Sequence, residues 1–207
     1  MGRVMGEQPV LMLLGDSIRM IYQPVVTDLL QGTARVVAAA ENARFALYTL
    51  QSLDRWLKGL PVPDVIHWNN GLWDVGHSAE RVPAQIPLDM YVGNLEFILR
   101  RLRATGATVV WATITPIHPP RVDKGDGWSW KSEEIDRYNA AATELMVRHA
   151  VPVNDLNAVV RSDLGRYLPP GDHHINEAGA RACARAVVEA VRPHLFSARR
   201  VGRAETP

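Results

Sequence analysis

The chain has 207 residues, 47% of them hydrophobic and 22% charged, with a formal net charge of +1. That length supports one generous domain with a buried core and is short for two. Balanced charge leaves no basic stripe for nucleic acid and no acidic block for a disordered tail, and the one cysteine, Cys183, excludes a disulfide framework or an internal redox pair.

The opening MGRVMGEQPV carries no apolar stretch of signal length, and VLMLL is far too short to cross a bilayer; a cytoplasmic protein without a membrane partner is expected. VLMLL (10–14) is the first apolar burst, and it stops abruptly at Gly15-Asp16-Ser17. Asp16 or Ser17 can cap a following helix there. A second burst, ARVVAAA (34–40), leads into a helical stripe over 44–58 built on Phe45, Leu47, Leu50, Leu53, Trp56 and Leu57. DVIHWNN (64–70) is the third burst. A stripe over 88–103 follows it, with Tyr91, Val92, Leu95, Ile98, Leu99 and Leu102. TVVWATI (108–114) is the fourth, and behind it lies the least regular piece of the chain, PIHPPRVDKGDGWSWK (116–131), read as a surface loop. Ser132 is the expected N-cap of a helix over 132–149, with Glu133 and Glu134 complementing its dipole. The fifth burst, VPVND (151–155), precedes a last helix from Asn176 to about Arg192, which Pro193 is expected to end.

Five near-continuous apolar strands alternating with helices predict a parallel sheet covered on both faces. The expected fold class is α/β, a three-layer α/β/α sandwich in a single domain, with its core over about 10–194 and a loose tail from 195. Ligands bind outside the carboxyl ends of the strands in such sheets. One polar crown should therefore gather Gly15-Asp16-Ser17, residues 41–44, residues 69–74, Thr115-Pro116 and Asn154-Asp155.

Two readings of Ser17 stand side by side: an ordinary helix start, or a nucleophile held at a sheet edge. A hydroxyl nucleophile needs a base, and the base an orienting group. LPPGDHHINEAGARACA supplies candidates in Asp172, His173 and His174, just before the last helix. A histidine there can take the Ser17 proton, and Asp172 can hold the imidazole tautomer. Alone, GDHHIN also fits a loop with an Asp turn and exposed histidines.

GDSIRM near the start and an Asp/His pair before the final helix together resemble the SGNH (GDSL) hydrolase superfamily, over roughly Val10 to His194. HINEAG resembles the block that follows the family's catalytic histidine, which selects His174. The resemblance implies a flavodoxin-like five-stranded parallel sheet, Ser17 as nucleophile, no metal or other cofactor, and ester hydrolysis. Three positions depart from the family pattern. The acid three residues before the histidine is replaced by Gly171, leaving Asp172 as the candidate; loss of any orienting carboxylate costs up to roughly 10⁴ in rate. The family's oxyanion glycine is absent from AENARF, where the backbone N–H of Ala43 or Arg44 is the expected donor. In the family's G-x-N-D block, Trp73 stands at the asparagine position, so Asn69, or else Asn70, is expected to supply that donor. Losing one such donor typically costs about 10²–10³ in kcat.

Arg19 and Arg44 are candidate clamps for an anionic substrate group, against the commoner solvated arginine. Trp68, Trp128 and Trp130 lie on or after strand ends, where tryptophan either stacks on sugar rings or pins a loop; Trp73 is a candidate substrate contact, against ordinary packing on a helix. His67 reads as a satisfied core histidine. The expected partner is a small-molecule ester, with an acylated carbohydrate the class the tryptophans suggest. Two rivals remain: a non-catalytic binding module of the same fold, and an acyltransferase in which an alcohol captures the acyl-serine. A metal phosphoesterase built on Asp-His-His lacks the further aspartates and second domain it would need.

Overall fold

The computed structural model describes residues 8–78, 83–119 and 127–201. In chain order the elements are β1 (Val10–Leu14), α1 (Ser17–Leu29), β2 (Arg35–Ala38), α2 (Ala46–Gly59), β3 (Val65–Trp68), α3 (Leu72–Val75) and β4 (His77–Ser78). They continue with α4 (Leu88–Arg103), β5 (Thr108–Ala112), β6 (Trp128–Ser129), α5 (Ser132–Arg148), β7 (Val153–Asn154), α6 (Leu156–Arg161), α7 (Leu164–Tyr167) and α8 (Glu177–Val201).

The central sheet has five parallel strands in the order β2-β1-β3-β5-β7, the doubly wound arrangement expected of a flavodoxin-like fold. Helices α1 and α8 pack together on one face, and α2, α4 and α5 on the other. This double cover explains the unbroken apolar reading of β1: Leu11, Met12 and Leu13 are fully buried. Each such side chain contributes roughly 1.5–3 kcal/mol of burial. At the centre, Trp68 on β3 meets Trp111 on β5 edge to face, with ring centroids 4.7 Å apart. The crossover reverses direction between β1 and β3, so the crevice of this sheet opens beside the end of β1, where Ser17 begins α1.

Two boundaries differ from expectation. Pro193 does not end the last helix; α8 continues through it to Val201. Val187, Val191 and Leu195 keep the buried stripe at every fourth position, and Pro193 lies on the exposed side, so packing overrides the local cost of the proline. The tail expected from 195 is therefore helical as far as Val201, and 202–207 lie outside the described residues. Ser132 is the first residue of α5 rather than its cap; Lys131 holds the cap position without a side-chain hydrogen bond. Of the loop expected over 116–131, residues 120–126 lie outside the described residues, while Trp128–Ser129 pairs antiparallel with His77–Ser78. No described helix is long and apolar enough to cross a membrane.

Candidate active site

Asp16 ends the turn after β1 and caps α1: its Oδ1 accepts from the Ile18 N–H at 3.0 Å. Ser17 is thereby fixed as the first helical residue, at the positive end of a 13-residue helix. The capping reading and the nucleophile reading of Gly15-Asp16-Ser17 are thus compatible, because the cap sets the serine in place. On the far side of the crevice, Asn176 Oδ1 accepts from the Gly179 N–H at 3.0 Å and opens α8, which positions the loop carrying His174.

These two helix starts bring Ser17 and His174 together. Ser17 Oγ lies 3.0 Å from His174 Nε2, so with Nε2 unprotonated the hydroxyl donates to it. Asp172 sits close by, but at 3.7 Å from His174 Nδ1 its Oδ1 is beyond hydrogen-bond range. That oxygen instead accepts the backbone N–H groups of His173 (2.7 Å) and His174 (3.1 Å), a turn within the DHH segment. Partial burial opposes the Asp172 anion, but those two amides and the neighbouring rings outweigh it and hold the carboxyl below its usual range. Asp172 therefore offers negative charge near both imidazoles. His173 stacks on His174 with centroids 3.9 Å apart and on Trp130 at 4.4 Å. Among the described residues, Asp172, His173 and His174 are also the grouping whose metal-capable atoms come within 4.8 Å of one another, and no further aspartate or histidine joins them.

The expected oxyanion donors are sorted by what already occupies them. The Ala43 N–H donates to Gly15 O at 3.1 Å, and the Arg44 N–H donates to Asn42 Oδ1 at 2.7 Å, so neither loop amide is free in this structure. Asn70 is engaged as well: its Nδ2 donates to Arg44 O (3.1 Å) and Thr49 Oγ1 (2.9 Å), while its Oδ1 accepts from Trp68 Nε1. Asn70 ties the second and third loops together. Asn69 remains. Its side chain lies over Gly15, where an added Cβ would stand 2.0 Å from Asn69 Oδ1. This close approach is the reason for a glycine at the end of β1. The parallel register that pairs Leu14 with Trp68 brings Gly15 and Asn69 side by side. At the next turn Gly71 has a φ of +135°, and a Cβ there would strike Ile114, so this glycine is also required.

The two candidate clamps are placed differently. Arg19 is buried, and its guanidinium donates to Gly15 O, Glu41 O and Gln23 Oε1, which staples the first and second loops. Arg44 is exposed at a strained positive φ of 52° and lies over the Tyr48 ring at 4.9 Å. Asp74 accepts from the Ala46 N–H with both oxygens (2.9 and 3.1 Å) and fixes the start of α2; burial pushes its carboxyl up to about 7.

The tryptophans form a connected wall. Trp130 is an anchor, 9% exposed, with its Nε1 donating to Leu72 O at 2.7 Å. Trp128 lies 6.0 Å from Trp130 and meets Trp73 edge to face at 5.5 Å. Trp128 and Trp73 keep partial exposure, and Trp68 is fully buried. His67 is a core histidine: Asn154 Nδ2 donates to its Nε2 at 3.0 Å, and its Nδ1 faces the Tyr22 hydroxyl. Burial lowers its pKa to about 3. Nothing in the spacing of His77 pointed to its pairing with the half-buried Glu134, which braces β4 against α5.

Residues 13–182 match the model of the GDSL-like Lipase/Acylhydrolase family. Among curated proteins, none matches the chain. Solved structures with a similar fold include a variant of Axe2, an acetyl xylan esterase from Geobacillus stearothermophilus, at a TM-score of 0.73 and 17% identity, covering 90% of this chain and 95% of that one. The lipase/acylhydrolase from Enterococcus faecalis aligns at 0.71 and 19%, covering 90% and 96%. LAE5, an alpha/beta hydrolase enzyme from the metagenome of Lake Arreo, aligns at 0.73 and 19%, covering 90% and 96%. At these identities the likeness speaks to the fold.

Proposed function

Because the chain belongs to the GDSL-like lipase/acylhydrolase family, we propose that it is a serine esterase removing small acyl groups through an acyl-enzyme. The observation that carries this reading is the 3.0 Å approach of Ser17 Oγ to His174 Nε2 across 157 positions of sequence. In this reading His174 takes the Ser17 proton as Oγ attacks the acyl carbonyl. The tetrahedral oxyanion is met by the Ser17 N–H, at the positive end of α1, and by the Asn69 amide. His174 then returns the proton to the leaving alcohol, and a water activated by the same ring releases the acid from Ser17. Asp172 acts by charge, favouring the imidazolium from 3.7 Å.

An acylated carbohydrate is the preferred substrate class. Trp73 and Trp128 offer partly exposed indoles beside the crevice, suited to a sugar face, and fold neighbours that are acetyl xylan esterases support the same class. One rival keeps a specific observation in its favour. The engaged Ala43 and Arg44 amides and the long Asp172–His174 separation suit a binding module that has lost turnover. Hydrolysis of p-nitrophenyl esters of increasing chain length separates the two. The esterase reading expects turnover highest for acetyl and abolished by Ser17→Ala; absence of turnover with ligand binding unchanged in that variant favours the module.

A further inference from the structure

Three buried polar atoms without a hydrogen-bond partner line one small space beneath the candidate site: Asp16 Oδ2, Asn69 Oδ1 and Thr115 Oγ1. Their residues are 0%, 6% and 3% exposed. Two of the three, Asp16 Oδ2 and Asn69 Oδ1, are acceptors unless protonated, the Thr115 hydroxyl bonds to neither, and buried acceptors left without a donor cost several kcal/mol. A bridging water would be the usual remedy, but the space these residues enclose with Ile18, Tyr22 and Leu72 has no room for a water centre. The missing hydrogen must therefore come from the side chains themselves.

We propose that Asp16 is a positioning residue carried as the neutral acid, its O–H donating to Asn69 Oδ1 and holding the amide in place for the oxyanion. The inference rests on the proposed role of Asn69. An ionised Asp16 would instead take one Asn69 N–H for itself, and would leave Asn69 Oδ1 unpaired. A neutral Asp16 satisfies both orphan oxygens with one hydrogen and leaves both Nδ2 hydrogens free for substrate. Its other oxygen still accepts from the Ile18 N–H, so the helix cap survives.

The surroundings are divided. Arg19 and His174 favour the anion, as do the amides of Ile18 and Asn69, yet full burial outweighs them and raises the carboxyl. The Arg19 guanidinium is turned to Gly15 O, Glu41 O and Gln23. Across the site Asp74 opposes a second negative charge, and the hydroxyls of Tyr22 and Tyr91 are held un-ionised by the same burial.

Asparagine is the isostere of the neutral acid: its Oδ1 can cap Ile18 and its Nδ2 can donate to Asn69. Asp16→Asn is expected to keep kcat within about threefold of wild type, whereas Asp16→Ser, which keeps a capping oxygen but lacks the donor, loses about 10²–10³ in kcat with little change in KM. Infrared difference spectra between wild type and Asp16→Asn at neutral pH should show the carbonyl stretch of a buried carboxylic acid. Absence of that band overturns the proposal, as does an Asp16→Asn variant that folds normally and is as impaired as Asp16→Ser. The band is read without turnover. Its presence in an enzyme lacking esterase activity sustains the proton and removes the functional reading instead.

Discussion

Replacing Gly15 with alanine tests the proposed oxyanion role of Asn69 without touching a reacting group. The new methyl would stand 2.0 Å from Asn69 Oδ1 and 2.9 Å from Arg19 Cβ, where ordinary contact begins at 3.4 Å. Asn69 must withdraw by about 1.4 Å, because it meets the methyl with the flexible end of its side chain. A misplacement of about 1 Å can cost 10²-fold in rate, and loss of one oxyanion donor about 10²–10³. Gly15→Ala is therefore expected to lower kcat for p-nitrophenyl acetate by about 10²–10³ while leaving KM near wild type. Overpacking should reduce stability by only about 1–3 kcal/mol. Asn69→Ala should lose a similar amount, and the double variant should be no worse than either, since both remove the same interaction. Full activity in a folded Gly15→Ala variant, or additive losses in the double variant, would show that Asn69 does not hold the oxyanion.

Other consequences are equally direct. Asp172→Asn keeps an oxygen for the His173 and His174 amides but removes the charge; kcat should fall about 10²-fold, less than the roughly 10⁴ of a hydrogen-bonded triad acid, and a loss of 10⁴ would mean that Asp172 reaches Nδ1 during turnover. His67 stays neutral in the folded chain down to about pH 3, while the unfolded chain takes up that proton below about 6.5. Its contribution to stability is thus complete above pH 6.5 and falls by about 1.4 kcal/mol per pH unit as acid is added. Urea unfolding should show that slope missing from His67→Gln, and identical pH dependence in both proteins would contradict it. Esterase activity should survive EDTA, because the proposed nucleophile is activated by His174; loss restored by a divalent ion would point to Asp172-His173-His174 as ligands.

The sheet was legible because its central strands are buried on both faces and so read as continuous apolar runs, from VLMLL to TVVWA. The meeting of Ser17 with His174 was legible from two short motifs at opposite ends of the chain. The availability of the candidate oxyanion donors was not. Whether a loop amide is free depends on what its backbone already pairs with, and the Ala43 N–H is taken by Gly15 O, a residue far upstream. The same holds for Arg19, whose charge suggested a ligand and whose guanidinium is instead engaged by two backbone carbonyls. Gly15 itself became interpretable only with strand adjacency, since its neighbour Asn69 follows β3. Pro193 misled because local propensity yields to the packing of Val191 and Leu195 around it.

If Ser17 is a nucleophile made reactive by His174, covalent labelling reads it without knowledge of the substrate. Incubation with a serine-directed phosphonate, followed by peptide mapping, should place the adduct on Ser17 in wild type and give none in His174→Ala. An adduct elsewhere, or labelling of Ser17 at the same rate without His174, would contradict the account.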